Sequence, residues 1–351
     1  MRRTGIANLP LHSGHCPPWL FAKMKLLAKP VAETIADEYG AEEFLRRLAD
    51  PYWFQAFGCA LGFDWHSSGV TTTVCGALKE ANLEEIGIGV AGGKGKRSLE
   101  APEQIIEISD NLGFANSEKF VRASKLSAKV DNACVQDGYN LYHHTFFFMR
   151  DEWCVVQQGM NDDNGYARRY HWTSRLARSF VDEPHAAICC DARGENVLDM
   201  TAKQSTIARF ASVDALREGD YAKLKRKEEL KTLTLPKHHD IVLSRQVIKA
   251  LNQAKEINPR NYEELIEIRG IGPAAVRALA LTANLIYGTE LSWKDPAKFS
   301  FAHGGKDSIP YPIDRATYEN TINMLKTAVE EAKIGNVDKT RALRRLSTFI
   351  S

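Results

Sequence analysis

Residues 141–158 read LYHHTFFFMRDEWCVVQQ, and this stretch decides the fold of the first half of the chain. Two runs rich in aromatic and β-branched residues, 141–149 and 153–158, flank Arg150-Asp151-Glu152. That pattern predicts two strands joined by a hairpin turn. Successive side chains of a strand face opposite ways, so His143 and His144 cannot share a face, and neither can Gln157 and Gln158. A hairpin loaded with His and Gln among Phe and Val is costly to bury unless those groups find partners or a task.

Working outward, residues 86–90 predict a short strand ended by the loop AGGKGKRS, and 186–190 predict another strand. Helical periodicity covers 28–49, with Val31, Ile35, Tyr39, Phe44, Leu45 and Leu48 as apolar positions. Further helices follow: from Ser67 or Ser68 to Ala81, from Pro102 onward, and over 117–135. From about Thr201 the strand runs stop and only helical spacing remains. The expected fold is a mixed α/β (α+β) N-terminal domain, residues 1–205, followed by an all-α domain, residues 206–351. No internal repeat and no low-complexity segment interrupts this order.

The composition bounds the function. A chain of 351 residues can bury two ordinary cores, and 44% hydrophobic with 26% charged residues is the balance of a globular protein. No apolar stretch is long enough for a membrane span, and no apolar signal core follows Arg2-Arg3. Seven cysteines without framework spacing point to reduced thiols and a cytoplasmic protein. The net charge is only +2, but the runs YAKLKRKEELK (221–231) and KTRALRR (339–345) gather the cations. Such runs suit a phosphate backbone, as they suit a solvated helix face. The chemistry leaves a homo-oligomer open.

Residues 262–288 read YEELIEIRGIGPAAVRALALTANLIYG. A short helix over 261–267, then Gly270-Ile271-Gly272-Pro273, then a second helix is the expected local structure. The glycines allow a tight turn and close backbone approach, and Pro273 fits a first helical turn, where no N–H is needed. The unpaired N–H groups of that turn form a nest for a phosphate oxygen. The stretch resembles the helix-hairpin-helix motif of repair nucleases, glycosylases, ligases and polymerases, which implies backbone contact with DNA and no base readout. Arg269 and Arg277 would add phosphate contacts.

Four polar segments of the N-terminal part carry candidate chemistry. In LHSGHC (11–16), His12, His15 and Cys16 are metal-ligand types without an evident fourth member. In FDWHSSG, His66 stands beside Asp64 and Trp65 at a helix start. Gly92, Gly93, Lys94 and Lys96 of AGGKGKRS suit phosphate, although the spacing is not that of a P-loop. The richest segment runs from Ser124 to Trp172 and holds Lys129, Asp131, Gln136, Asp137, His143, His144, Gln157, Gln158, Arg168, Arg169 and His171. Acid, imidazole, amide and guanidinium groups together are what metal-assisted phosphodiester hydrolysis uses. Asp131 and Asp137 are the candidate ligands of a divalent Mg or Mn, and Arg168 and Arg169 the candidate DNA contacts.

The segments LPLHSG, FDWHSSG, AGGKGK, VVQQGMN, ARRYHW and FAHGGKDSIPYPIDR resemble the "domain of unknown function 763" family essentially end to end. That resemblance implies no specific reaction. The residues themselves point to a metal-dependent nuclease of DNA repair or recombination. A helix-hairpin-helix glycosylase stays open, with Asp314 as its acid, although Asp314 equally suits the N-cap of a helix carrying Tyr318, Ile322, Leu325 and Val329. A non-enzymatic DNA- or nucleotide-binding accessory protein also stays open.

Overall fold

A computed structural model describes residues 16–63, 68–190, 193–225, 243–297, 323, 327, 329–330 and 336–350. Side chains of 224–225, 336 and 345–350 are not part of that description. The hairpin stands where the sequence puts it. Strands β3 (Asn140–Met149) and β4 (Glu152–Asn161) pair antiparallel, with His143 opposite Gln158 and His144 opposite Gln157. Arg150 closes the turn at φ 41°, and the register shifts once, between Leu141 and His143.

Three more strands complete one sheet in the order β1-β3-β4-β5-β6. These are β1 (Gly89–Lys94), β5 (Tyr166–Thr173) and β6 (Ala187–Cys189). Strand β5 is the ARRYHW segment, which shows no strand signature in sequence because polar groups occupy both of its faces. The short strands β2 (Val135–Gln136) and β7 (Leu198–Asp199) form a separate ladder.

Each face of the sheet carries a core. Phe146, Phe148, Val155, Tyr170, Trp172 and Ile188 belong to one. It also takes residues of α5 (Ala101–Leu112), α6 (Ser117–Ala133), α7 (Thr206–Glu218), α8 (Arg245–Ile257), α9 (Tyr262–Glu267) and α10 (Pro273–Tyr287). Phe147, Cys154 and Val156, one residue out of phase, belong to the other. That core is filled by α1 (Pro18–Tyr39), α2 (Ala41–Leu48), α3 (Pro51–Leu61) and α4 (Gly69–Lys79), and Ala342 of α11 (Asn336–Ile350) joins it. The sheet is thus covered on both sides, as the continuous apolar runs of β3 and β4 require. The first core includes residues on both sides of position 205.

Two expectations are corrected. The helix expected over 28–49 is two helices broken at Gly40, whose φ of 90° suits glycine, and the first begins at Pro18. The expected loop AGGKGKRS is not a loop. Strand β1 runs on through Gly92, Gly93 and Lys94, and a 3-10 turn, Gly95–Glu100, carries Lys96. Strand pairing wins here because Gly92 needs no side chain: a Cβ on it would lie 2.2 Å from the His144 carbonyl oxygen. Among the described residues no helix is long and apolar enough to cross a membrane.

That contact generates a test. Gly87 also has positive φ (75°), but a Cβ there meets nothing within 4 Å. Gly87→Ala should cost about 1–2 kcal/mol, the ordinary penalty for a left-handed L-residue. Gly92→Ala should cost distinctly more, because the strand must also leave its partner. Urea unfolding of both variants checks this, and equal midpoints would contradict the strand assignment.

Candidate functional site

Helix α6 places Ser124, Ser127 and Asp131 at i, i+3 and i+7, on the face turned to the sheet, and all three are buried. Alternation along the strands sends His144, Gln157, Tyr170 and Trp172 to meet them. Ser124 Oγ lies 2.8 Å from His144 Nε2, and His144 Nδ1 lies 2.8 Å from Gln157 Oε1. Gln157 Nε2 donates to Asp131 Oδ2 at 2.6 Å, and Trp172 Nε1 donates to the same oxygen at 3.0 Å. The other oxygen, Oδ1, takes His185 Nε2 at 2.5 Å. Burial pushes the Asp131 carboxyl above the usual range, while the His185 and Trp172 contacts oppose that.

A carboxylate only accepts, so an ionised Asp131 would orient every group around it. The Gln157 amide must turn its nitrogen to the acid and its oxygen to His144. His144 must then carry its proton on Nδ1, and its Nε2 accepts the Ser124 hydroxyl. Burial drives His144 down to about 4, which keeps it neutral in this chain.

His185 opens the network to a pocket of about 250 Å³. Asp199, Thr201, Lys203, Ser292 and Lys294 are among the residues that line it. Beside the pocket, Arg168 bridges Asp137 (2.7 Å) and Asp295 (2.7 Å), and Tyr170 Oη donates to Asp137 Oδ2 at 2.7 Å. The preceding residue, Gln136, donates to the Pro273 carbonyl at 2.9 Å and accepts from Arg277 Nε at 2.7 Å. Lys129 Nζ donates to the Ile268 carbonyl at 3.1 Å. Helix α6 and the short strand β2 therefore join the polar network to the turn between α9 and α10.

That turn is built as its sequence requires. Asn261 caps α9 by accepting from the Glu264 amide at 2.9 Å, and Gly270 sits at φ 93°. Ile271 is buried, whereas Arg269 and Gly270 are exposed. Gly272 precedes α10 without a side-chain cap.

The residues singled out in sequence separate in space. Asp131, Asp137, Gln136, His144 and Lys129 lie together. His143 and Gln158 face the opposite way, with Gln158 Nε2 donating to the Ser68 carbonyl at 2.8 Å. Arg168 and Arg169 do not face a phosphate backbone, because the middle of a covered sheet buries both completely. Arg168 serves its two carboxylates, and Arg169 Nη1 donates to Gln55 Oε1 at 2.9 Å. Lys94 and Lys96 are exposed at the sheet edge. His66 lies outside the described residues, as do His12, His15 and Asp314.

The metal expected at Asp131 and Asp137 does not fit the carboxylates as they stand. Both oxygens of Asp131 carry protein donors. Asp137 accepts the Tyr139 amide on Oδ1, with Arg168 and Tyr170 on Oδ2. Among the described residues no group of three His, Cys, Asp or Glu side chains could hold a metal ion.

His185 was the functional candidate the sequence hid. It stands alone in VDEPHAA, and only the fold carries it to an acid 54 positions earlier.

Buried neutral histidine makes stability depend on pH. His144 in the fold titrates below its ordinary 6.5, so on acidification the unfolded chain takes the proton first. Its contribution is complete above about pH 6.5 and is lost as pH falls toward 4, at about 1.4 kcal/mol per pH unit. His144→Gln, which keeps a polar side chain, should flatten the stability curve by that slope in the same window. Urea unfolding across the window is the measurement, and parallel curves for parent and variant would refute the buried neutral assignment.

A protein-family model described as "Protein of unknown function (DUF763)" matches residues 5–313. No curated protein and no solved structure matches the chain.

Proposed function

We propose, for a chain that belongs to the DUF763 family of proteins of unknown function, that it acts on DNA and hydrolyses phosphodiester bonds. The backbone is held at the turn between α9 and α10, read as a helix-hairpin-helix element, and the chemistry takes place at the His185 pocket. One observation carries this reading. Gly272 has φ −114° and ψ −168°, an extended conformation open to any residue, and a Cβ there would meet nothing within 4 Å. Neither conformation nor packing inside the chain asks for glycine at that point. A bare backbone there lets an external oxygen reach the uncapped N–H groups of the first turn of α10. Gly270 differs, since its positive φ already explains it.

The chemistry follows from the donor order around Asp131. An ionised Asp131 accepts a hydrogen bond from the Nε2–H of His185, so Nδ1 keeps a lone pair; it can accept a proton from a water attacking phosphorus and return that proton to the leaving ester oxygen as its P–O bond breaks. Lys203 and Lys294, both in the pocket lining, supply positive charge for the phosphate oxygens. The contacts of Gln136 and Lys129 tie the gripping turn to the reacting group. No step of this reading runs through a metal ion.

Gly272→Asp separates gripping from folding. Aspartate is a good N-cap and favours a helix N-terminus, so stability should hold or rise. Affinity for labelled duplex and single-stranded DNA should fall at least ~10-fold on all sequences alike, since the carboxylate fills the nest and repels phosphate. His185→Gln should bind DNA like the parent and fail to cut it, in Mg²⁺, Mn²⁺ or EDTA, with base release scored separately from strand breakage. Undiminished affinity in the first variant removes the turn from the reading. Parent-rate cleavage in the second removes the pocket.

A further inference from the structure

A cleft of about 420 Å³ opens at the end of the sheet where the β3–β4 hairpin turns, and it shares no residue with the His185 pocket. We propose that this cleft binds a free α-amino acid with an apolar side chain, its carboxylate held by Arg150 and its ammonium by Glu42.

Four parts of the chain meet there. Ala41 and Glu42 begin α2, and Ile86 ends the 3-10 turn Leu83–Ile86, with Gly87 after it. Leu112 and Phe114 stand at the end of α5, and Met149 and Arg150 lie where β3 passes into its turn. Ala41, Ile86, Leu112 and Phe114 are half-buried, and Met149 is buried. Phe114 packs against both cores, so the cleft lies on the seam between them. An apolar side chain entering it would continue packing that the fold has already begun. A volume of this size, walled by carbon and carrying a few fixed polar groups, suits a small organic ligand.

The charges choose the ligand. Glu43, beside Glu42, is taken by Arg46 and Arg47. Asp151, beside Arg150, accepts from Asn116 Nδ2 at 2.7 Å. Among the described residues Glu42 and Arg150 make no ion pair, with each other or with a third group. One apolar cleft thus carries an acid and a base that do not neutralise each other. A ligand that answers both brings a cation, an anion and an apolar body. A peptide terminus has a single charge beside its side chain, and a fatty acid or an amine has one in all. A free amino acid carries both charges on the carbon that bears its side chain. Arg150 has a further mark. It is the first of two residues between the paired Met149 and Glu152, and its φ is 41°. Glycine is favoured at such a turn position, because an L side chain there is strained. An arginine kept at a strained position, with its side chain lining a cavity, points to a task for that side chain.

The test is isothermal titration of the full chain with L-leucine and L-phenylalanine. Isocaproate and hydrocinnamate are the matching compounds without the ammonium, isoamylamine and phenethylamine those without the carboxylate, and glycine lacks the side chain. At least one of the two amino acids should bind with Kd of about 1 mM or tighter. Its analogues and glycine should bind at least ~10-fold more weakly, the loss expected for one charged hydrogen-bond partner or the apolar body. Arg150→Gly relieves the turn, so its urea midpoint should equal or exceed the parent's while its affinity falls at least ~10-fold. Glu42→Gln should lower the affinity similarly, and it decides alone if Arg150→Gly proves less stable than the parent. Failure of both amino acids to bind overturns the proposal. So does an analogue with one charge that binds as tightly as its amino acid, or parent affinity in the deciding variant.

Discussion

A carboxylate without water has to be satisfied by the protein around it, and Asp131 imposes that condition on the middle of the molecule. Fully buried between α6 and the sheet, it draws a donor from β4, one from β5 and one from the segment before β6. Such a group is expensive to bury alone, and removing His185 takes from Oδ1 the donor it holds. The register of the hairpin is bound to this need. A slip of one residue would send Gln157 and His144 to the other core and bring Gln158 and His143 to the acid.

A second buried charge system stands beside the first and fastens the chain over longer distances. Arg168 joins Asp137, just after β2, to Asp295, beyond α10. Its guanidinium also lies over the Tyr139 ring, at 4.6 Å. Ion pairs of this kind add little net stability over an apolar packing, but they tolerate few alternative arrangements. Their effect here is geometric. They hold the residues after α10 against the sheet, and with them one wall of the pocket that His185 shares. Gln136, the residue before Asp137, meets the turn of α9 and α10 through Pro273 and Arg277.

Much of this was legible in the sequence. The hairpin, the helix over 117–135, the two helices around Gly270-Ile271-Gly272 and the wealth of partners near Asp131 all follow from local pattern. Period-2 and period-3.6 spacing and the conformational demands of Gly and Pro act over a few residues and need no tertiary help. Even the separation of His143 from His144 is a property of any strand. Strand β5 escaped because Arg168, Arg169 and His171 break the alternation, and the same residues then looked like surface cations.

What only the tertiary structure decided is which polar groups are neighbours and which are spent. Sequence alone showed arginines, carboxylates and histidines in abundance. The fold consumed Arg168 and Arg169 in the interior, filled the oxygens of Asp137, and turned a glycine-rich stretch into an edge strand. It also carried a solitary His185 to Asp131. The reason is that a hydrogen bond depends on distance and direction in space. In a sheet covered on both faces those are set by pairing and packing among residues far apart in the chain, whereas the local patterns that a sequence displays extend over a turn or two.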